Sequence, residues 1–394
     1  MRRILNISNL YIFLWCIYSL QGLLYPIGST ISRSVLAILM LISIFYFINI
    51  NLRKEELPSV LKTLNILIIF FSIYGIVYML FGENNILHTN KFEYLKGIYM
   101  SLLPIYPFYS FAQTGMLNEK AFKKWIPIFF IVAIACFYSS ALTLNEYAST
   151  SYEYEGDFTN NSGYLVLSLL PATLLYQEKP IIQYSLLTLA LYFIILGFKR
   201  GAILTAGICT IWIFYQLFKT TSAKGKVWII LFEILLLIMT ILYIVYLSKS
   251  NDYFVERLEQ TQLGNSSDRD WIYTTLFNYF MNGTTIFTFL LGSGANATIN
   301  IAGNYAHNDW LEIAVNNGLI GIVIYVVYWI SLFKTCRNAK LYPKYYLILT
   351  TFIIIVFMET LFSMSYNSQP IYITSVLAWV LASLQTTQSS IYDK

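Results

Sequence analysis

Apolar runs long enough to cross a bilayer recur from one end of the 394-residue chain to the other. A helix needs about 20 apolar residues to span hydrocarbon. Backbone polar groups in lipid must be bonded within their own segment. A chain written this way is therefore expected to fold as a bundle of membrane helices. The runs are 9–26, 34–50, 63–81, 97–114, 125–143, 162–177, 181–198, 201–218, 227–247, 316–333, 345–365 and 370–385. The sixth carries Pro171, and the break between the seventh and eighth is only Lys199-Arg200-Gly201. Charged residues make up 11% of the chain, against about 25% in soluble domains, which excludes a soluble multi-domain protein. The expected fold is an all-α polytopic membrane protein with about 12 transmembrane helices, forming one membrane domain over 1–394.

The cations orient this bundle. Cytoplasmic loops carry an excess of Lys and Arg. With the N-terminus inside, 17 of the 25 fall on the cytoplasmic side, from Arg2 and Arg3 to Lys340, Lys344 and Lys394. The outer segments hold Arg33, Lys91, Lys96, Lys199, Arg200, Lys249, Arg257 and Arg269. Met1-Arg2-Arg3 leads into apolar sequence with no small-residue cleavage pattern, which reads as a first membrane helix rather than a removed signal. Both termini are expected in the cytoplasm. Residues 144–161 form a polar outer loop, and residues 248–315 form a large extracytoplasmic loop, too long for a simple connector. Within it Ile272, Leu276 and Phe280 recur at helical spacing, which suggests an amphipathic helix at the membrane surface. The apolar stretch 285–291 then breaks at Gly292-Ser293-Gly294.

Cys16, Cys136, Cys209 and Cys336 show no metal-ligand spacing and none lies in an expected outer loop, so neither zinc nor disulfides are expected. No cofactor is implied, and the outer loop, richer in acids than in cations, offers no face for nucleic acid.

Polar residues worth a closer look concentrate on the outer side. Lys199-Arg200 sits where the charge rule disfavours cations. It is either a turn whose side chains snorkel to lipid phosphate or a phosphate grip using the planar fork of Arg200. Arg269 lies in Asp268-Arg269-Asp270-Trp271, which reads equally as a helix start with acids favoured by the dipole. Arg257 is a further cation of the same loop. His307, one of two histidines, stands in Ala306-His307-Asn308-Asp309-Trp310-Leu311-Glu312 and is either a solvated loop residue or a proton carrier. Glu233 and Glu359 fall inside apolar runs, where a carboxylate is costly and usually paired or functional. Glu359 is the nearer of the two to the outer cations. His88 has no distinguishing context.

Taken in order, three features resemble the O-antigen ligase and polymerase superfamily of membrane glycosyltransferases. They are Gly197-Phe198-Lys199-Arg200-Gly201 between two helices, the large outer loop with Arg269 and Trp271, and His307-Asn308 followed after nine residues by Gly318-Leu319-Ile320-Gly321. The resemblance covers roughly residues 155–335. It implies a metal-independent, inverting transfer from an undecaprenyl-diphosphate-linked oligosaccharide donor to a lipid-linked acceptor, on the extracytoplasmic face of the cytoplasmic (inner) membrane. By motif position it assigns Arg200 and Arg269 to the diphosphate and His307 to the acceptor hydroxyl or a phosphate. Lys199, Arg257, Asn308, Asp309, Glu312 and Glu359 are the expected substrate-binding or positioning residues around them. The bilayer itself is a partner, and the resemblance leaves room for a chain-length regulator. Within it, a repeat-unit polymerase is preferred to a ligase acting on a lipid A core, because polymerases should be the more numerous. From another class, a transporter or flippase would tend to show two related halves, and no internal repeat is visible here.

Overall fold

The computed structural model describes residues 6–53, 56–82, 85–87, 90–150, 160–250, 255, 259, 262 and 269–392. Among the described residues the protein is all-helical. The N-terminal part comprises α1 (Ile7–Ser19), α2 (Thr30–Leu52), α3 (Ser59–Phe81), α4 (Phe92–Leu102), α5 (Ile105–Gln113) and α6 (Glu119–Thr150). Then come α7 (Ser162–Leu167), α8 (Leu170–Thr173), α9 (Pro180–Leu196), α10 (Arg200–Thr220) and α11 (Ala223–Ser250). The C-terminal part contains α12 (Arg269–Asn282), α13 (Ile286–Leu291), α14 (Ala297–Ala302), α15 (Asp309–Asn338), α16 (Pro343–Phe362), α17 (Ser365–Ser368) and α18 (Ile371–Tyr392).

Seven of these helices are long and apolar enough to cross a membrane, in α2, α3, α6, α10, α11, α15 and α16. The other five apolar runs take different forms, each for a local reason. Run 9–26 holds a 13-residue helix, which ends before Pro26. Run 97–114 is divided at Pro104, which lacks an amide hydrogen, into α4 and α5. Run 162–177 becomes α7, α8 and a 3₁₀ turn around Pro171. Residues 166–176 are buried throughout, as irregular backbone at membrane depth must be. Run 181–198 is a 17-residue helix, and run 370–385 lies within the 22-residue α18. The expected polar loop at 144–161 is in part helix, because α6 continues to Thr150. Its remainder up to residue 159 is outside the described residues.

The core is one continuous cluster built largely from α1, α3, α5, α16 and α18. Helix α5 packs on α18, α3 on α15, and α10 on α16. Helix α11 differs, with apolar side chains exposed all round it, as suits a helix whose solvent is lipid.

Helix α15 is two helices joined at a sharp corner. Sixteen residues of straight helix span about 24 Å, yet Tyr325 Oη donates to Asp309 Oδ2 at 2.7 Å. The corner is Gly318, at φ 68° and ψ −166°, a region open essentially to glycine alone. The expected opening of this helix at 316–318 is therefore corrected. A separate short helix begins at Asp309, and the membrane-length segment starts beyond Gly318. A Cβ on Gly318 would lie 2.4 Å from Gly292 N and 2.5 Å from Leu290 O. A Cβ on Gly292, itself at φ 79°, would lie 2.3 Å from Asn316 O. Backbone therefore meets backbone here, and Ser293 N and Gly294 N donate to Val315 O and Asn316 O at 2.8 and 3.0 Å.

Candidate active site

Helix α12 bears out the amphipathic spacing in its packing. Ile272 and Leu276 are buried against Ala297, Ala302, Ala306 and Val315, with Phe280 partly buried beside them. Trp271 and Phe277 remain on the exposed side. This seating carries Arg269, the first residue of α12, to the wall of a cavity of about 670 Å³. The same wall holds Lys199, His307 and Glu359, together with Glu93, Tyr94, Tyr164, Asn296 and Tyr305. Three of the expected outer residues, far apart in sequence, thus share one cavity with Glu359 at the end of α16.

The backbone around each explains its placement. Phe198 sits at φ 50° in the turn between α9 and α10, and Asn160 N donates to Gly197 O at 3.1 Å. Gly201 admits Tyr164, whose hydroxyl would lie 2.4 Å from an added Cβ. Lys199 comes to the wall, whereas Arg200 opens α10, half-buried, and is not part of the lining. Helix α10 begins at this cavity, so its positive dipole end adds to Lys199.

His307 is held at φ 51°, at the end of a segment that buried carboxyls fasten from behind. Glu312 is fully buried and accepts from Ala306 N at 2.7 Å, Thr298 Oγ1 at 2.5 Å and Asn316 Nδ2 at 3.0 Å. Asp309, also fully buried, accepts from Tyr325 Oη, from Ser365 N at 2.9 Å and from Ser365 Oγ. Neither carboxyl lines the cavity. Both were expected against substrate or against His307; they act on the backbone beside His307 and on the α16–α17 turn. Asn308 caps α15, accepting from Leu311 N at 3.1 Å, and its Nδ2 donates to Leu361 O at 3.4 Å. Arg257 lies outside the described residues. Replacing Glu312 by alanine would strand three buried donors at about 1–3 kcal/mol each. We expect Glu312→Ala to lower the melting temperature measurably in detergent, and Glu312→Gln to lower it less.

Burial first, then the Arg269 and Lys199 cations, push the His307 imidazole down to about 4. It is therefore neutral at ordinary pH. Tyr273 Oη, one turn beyond Arg269, lies 3.4 Å from His307 O and 3.3 Å from Leu361 O. Burial raises the Tyr273 phenol, and Arg269 beside it opposes the rise. Tyr273 was not singled out from the sequence, although its i+4 spacing from Arg269 was a signal that the two share a face. Glu359 is 4% exposed, and its Oε1 makes no hydrogen bond among the described residues. Buried polar groups are nearly always bonded, so this oxygen stands out among the residues that line the cavity.

A bundle of membrane helices with a charged, histidine-bearing cavity where several helix ends meet defines a polytopic membrane protein with a polar site at one end. Residues 185–326 match the family model described as O-antigen ligase, a match that supports the O-antigen ligase and polymerase superfamily. That family is one of glycosyltransferase-like enzymes acting on lipid-linked saccharides. The matched segment contains Lys199, Arg269, His307 and the Gly318 corner, and it leaves out Glu359. No curated protein matches the chain.

Proposed function

We propose that this protein is a metal-independent, inverting glycosyltransferase that polymerises undecaprenyl-diphosphate-linked oligosaccharide repeat units. The observation that carries the reading is the convergence of Arg269, Lys199, His307 and Glu359 on one cavity. Arg269 and Lys199 hold the donor diphosphate and offset the charge that grows on it as the anomeric C1–O bond breaks. An acceptor sugar hydroxyl attacks C1 from the opposite side, forming the new C1–O bond. Its proton passes to a group on the wall, and the lipid diphosphate leaves. Neutral His307 orients this hydroxyl, and Glu359 is the second oxygen acceptor within the same walls. Arg200 stands beside Lys199 and contributes charge from the first turn of α10. Chelators should leave the transfer rate unchanged.

Bound diphosphate also changes His307. Burial depresses the imidazole most, and the Arg269 and Lys199 cations add to it. A phosphate dianion between those cations cancels their share, so the protonated form gains and the pKa rises from its depressed value. Donor binding thus strengthens the base when it is needed. Diethylpyrocarbonate, which modifies neutral imidazole, reads this directly in a His88→Gln background that leaves His307 as the single histidine. The modification rate should titrate near pH 4 without ligand and at higher pH with inorganic pyrophosphate. Identical curves would remove the cations from the account.

In this reading the chain crosses the inner membrane about twelve times, with both termini in the cytoplasm and residues 248–315 outside. Cysteines at positions 265 and 224 test it, since an impermeant thiol reagent should reach the first from outside and not the second. Polymerase and ligase differ in their acceptor. Deleting the gene should leave surface glycan bearing single repeat units; accumulation of long lipid-linked polymer would establish the ligase.

A further inference from the structure

A second cavity, of about 560 Å³, lies on the other side of the turn at Asn296. The turn is its shared wall: Asn296, at φ 62°, lines the first cavity, and Ala295 and Ala297 line the second. Its lining differs in kind. Where the first cavity carries Lys199, Arg269, Glu93 and Glu359, the described residues that line the second include no charged side chain. Tyr74, Tyr78 and Phe81 stand at i, i+4 and i+7 along the last turns of α3, and Tyr279 faces the same space from α12. Small polar groups complete it, among them Ser293, Asn300 and the backbone at Gly292 and Gly294.

Most hydroxyls here are engaged with the wall. Tyr279 Oη and Ser293 Oγ are 3.0 Å apart, Tyr74 Oη donates to Leu291 O, and Asn300 Oδ1 accepts from Ile86 N at 3.1 Å. Tyr78 is the exception. Its side chain is 8% exposed, and its hydroxyl has no hydrogen-bond partner among the described residues. Gly82 clears space for that ring, since a Cβ there would lie 2.3 Å from Tyr78 Cδ2. A buried hydroxyl left without a bond costs free energy unless a ligand supplies the partner. Aromatic surface and neutral hydrogen-bonding groups suit a ligand with apolar C–H faces and many hydroxyls. The volume falls within the roughly 300–1,000 Å³ of small-molecule sites.

We infer that this second cavity is a saccharide subsite, holding an uncharged pyranose residue of the acceptor glycan one backbone turn from the charged cavity. The assignment to an acceptor rests on the glycosyl-transfer reading of that first cavity. The division follows chemistry: diphosphate among the cations, neutral sugar among the tyrosines, and Asn296 between them.

The test uses the full-length purified protein in detergent. The probe is the repeat-unit oligosaccharide released from its lipid carrier by mild acid, free of lipid and phosphate, with binding followed by saturation-transfer NMR. Tyr78→Ala and Tyr279→Ala should each raise Kd about tenfold or more, in line with the cost of losing an aromatic stacking partner. Tyr78→Phe, which keeps the ring and removes the unpartnered hydroxyl, should raise it severalfold while preserving the melting temperature. Arg269→Gln should leave Kd within about twofold, since the probe carries no phosphate. Failure of the wild-type protein to bind, or binding lost in Arg269→Gln and intact in the tyrosine variants, overturns the subsite. Glycan binding that follows the tyrosines in a protein without transferase activity upholds the subsite and refutes the transfer reading instead.

Discussion

Arg269→Ala lowers glycosyl transfer by about 10²–10³-fold, the loss that follows removal of one preorganised group aimed at developing charge. The cation stands on the cavity wall at the first residue of α12, and the buried Ile272 and Leu276 fix that helix against the His307 segment. Arg269→Lys recovers little, because a single ammonium cannot reproduce a fork that grips two phosphate oxygens. Lys199→Ala shows a smaller loss, and Arg200→Ala is set apart from both by its place off the wall. His307→Gln, which keeps a hydrogen-bonding side chain, loses about 10²–10⁴-fold, the range for removal of a positioned proton carrier. The measurement is steady-state release of lipid diphosphate by purified variants with unchanged melting temperatures. Full activity in Arg269→Ala would detach this residue from the donor.

The second large effect falls on folding. Gly318→Ala and Gly292→Ala each force a side chain into a backbone conformation costing about 1–3 kcal/mol for non-glycine residues. Each also drives a Cβ to within 2.4 Å of backbone atoms that cannot move aside as a flexible side chain would. Together they part the 292–294 strip from α15, breaking the Ser293–Val315 and Gly294–Asn316 bonds. We expect little monodisperse protein from either variant by fluorescence size exclusion. Gly207→Ala, within α10 and with nothing within 4 Å of the added Cβ, should express normally. Normal yield of Gly318→Ala would show that the corner is not needed for the fold.

Much of this was legible in the residues. Apolar length marked the membrane helices. The spacing of Ile272, Leu276 and Phe280 gave the packed face of α12, and Gly318 of the pattern after His307 is where backbone meets backbone at Gly292. The corner itself was hidden, because periodicity over 309–338 does not reveal that one glycine takes a mirror-image conformation. Pro171 gave visible warning that its run would not be a simple helix, whereas Pro104, which divides the run 97–114, was passed over. That Lys199 rather than Arg200 lines the cavity, beside a left-handed Phe198, is announced by no pattern of residue types. Asp309 and Glu312 were visible as carboxyls near His307. Only burial and bonding distinguish fasteners of the loop from groups that meet substrate. Tyrosines 78 and 273 were lost among the 33 of the chain, most of which read as interfacial or core residues.

In the proposed reading this membrane protein breaks and makes a glycosidic bond at the cavity of Arg269 and His307. The direct measurement is reconstitution of the purified protein in liposomes with undecaprenyl-diphosphate-linked repeat units and no ion gradient. The account predicts a ladder of lengthening glycans, one lipid diphosphate released for each unit added, and loss of both in Arg269→Ala. Intact lipid-linked units that merely change leaflet, with no diphosphate released, would contradict it.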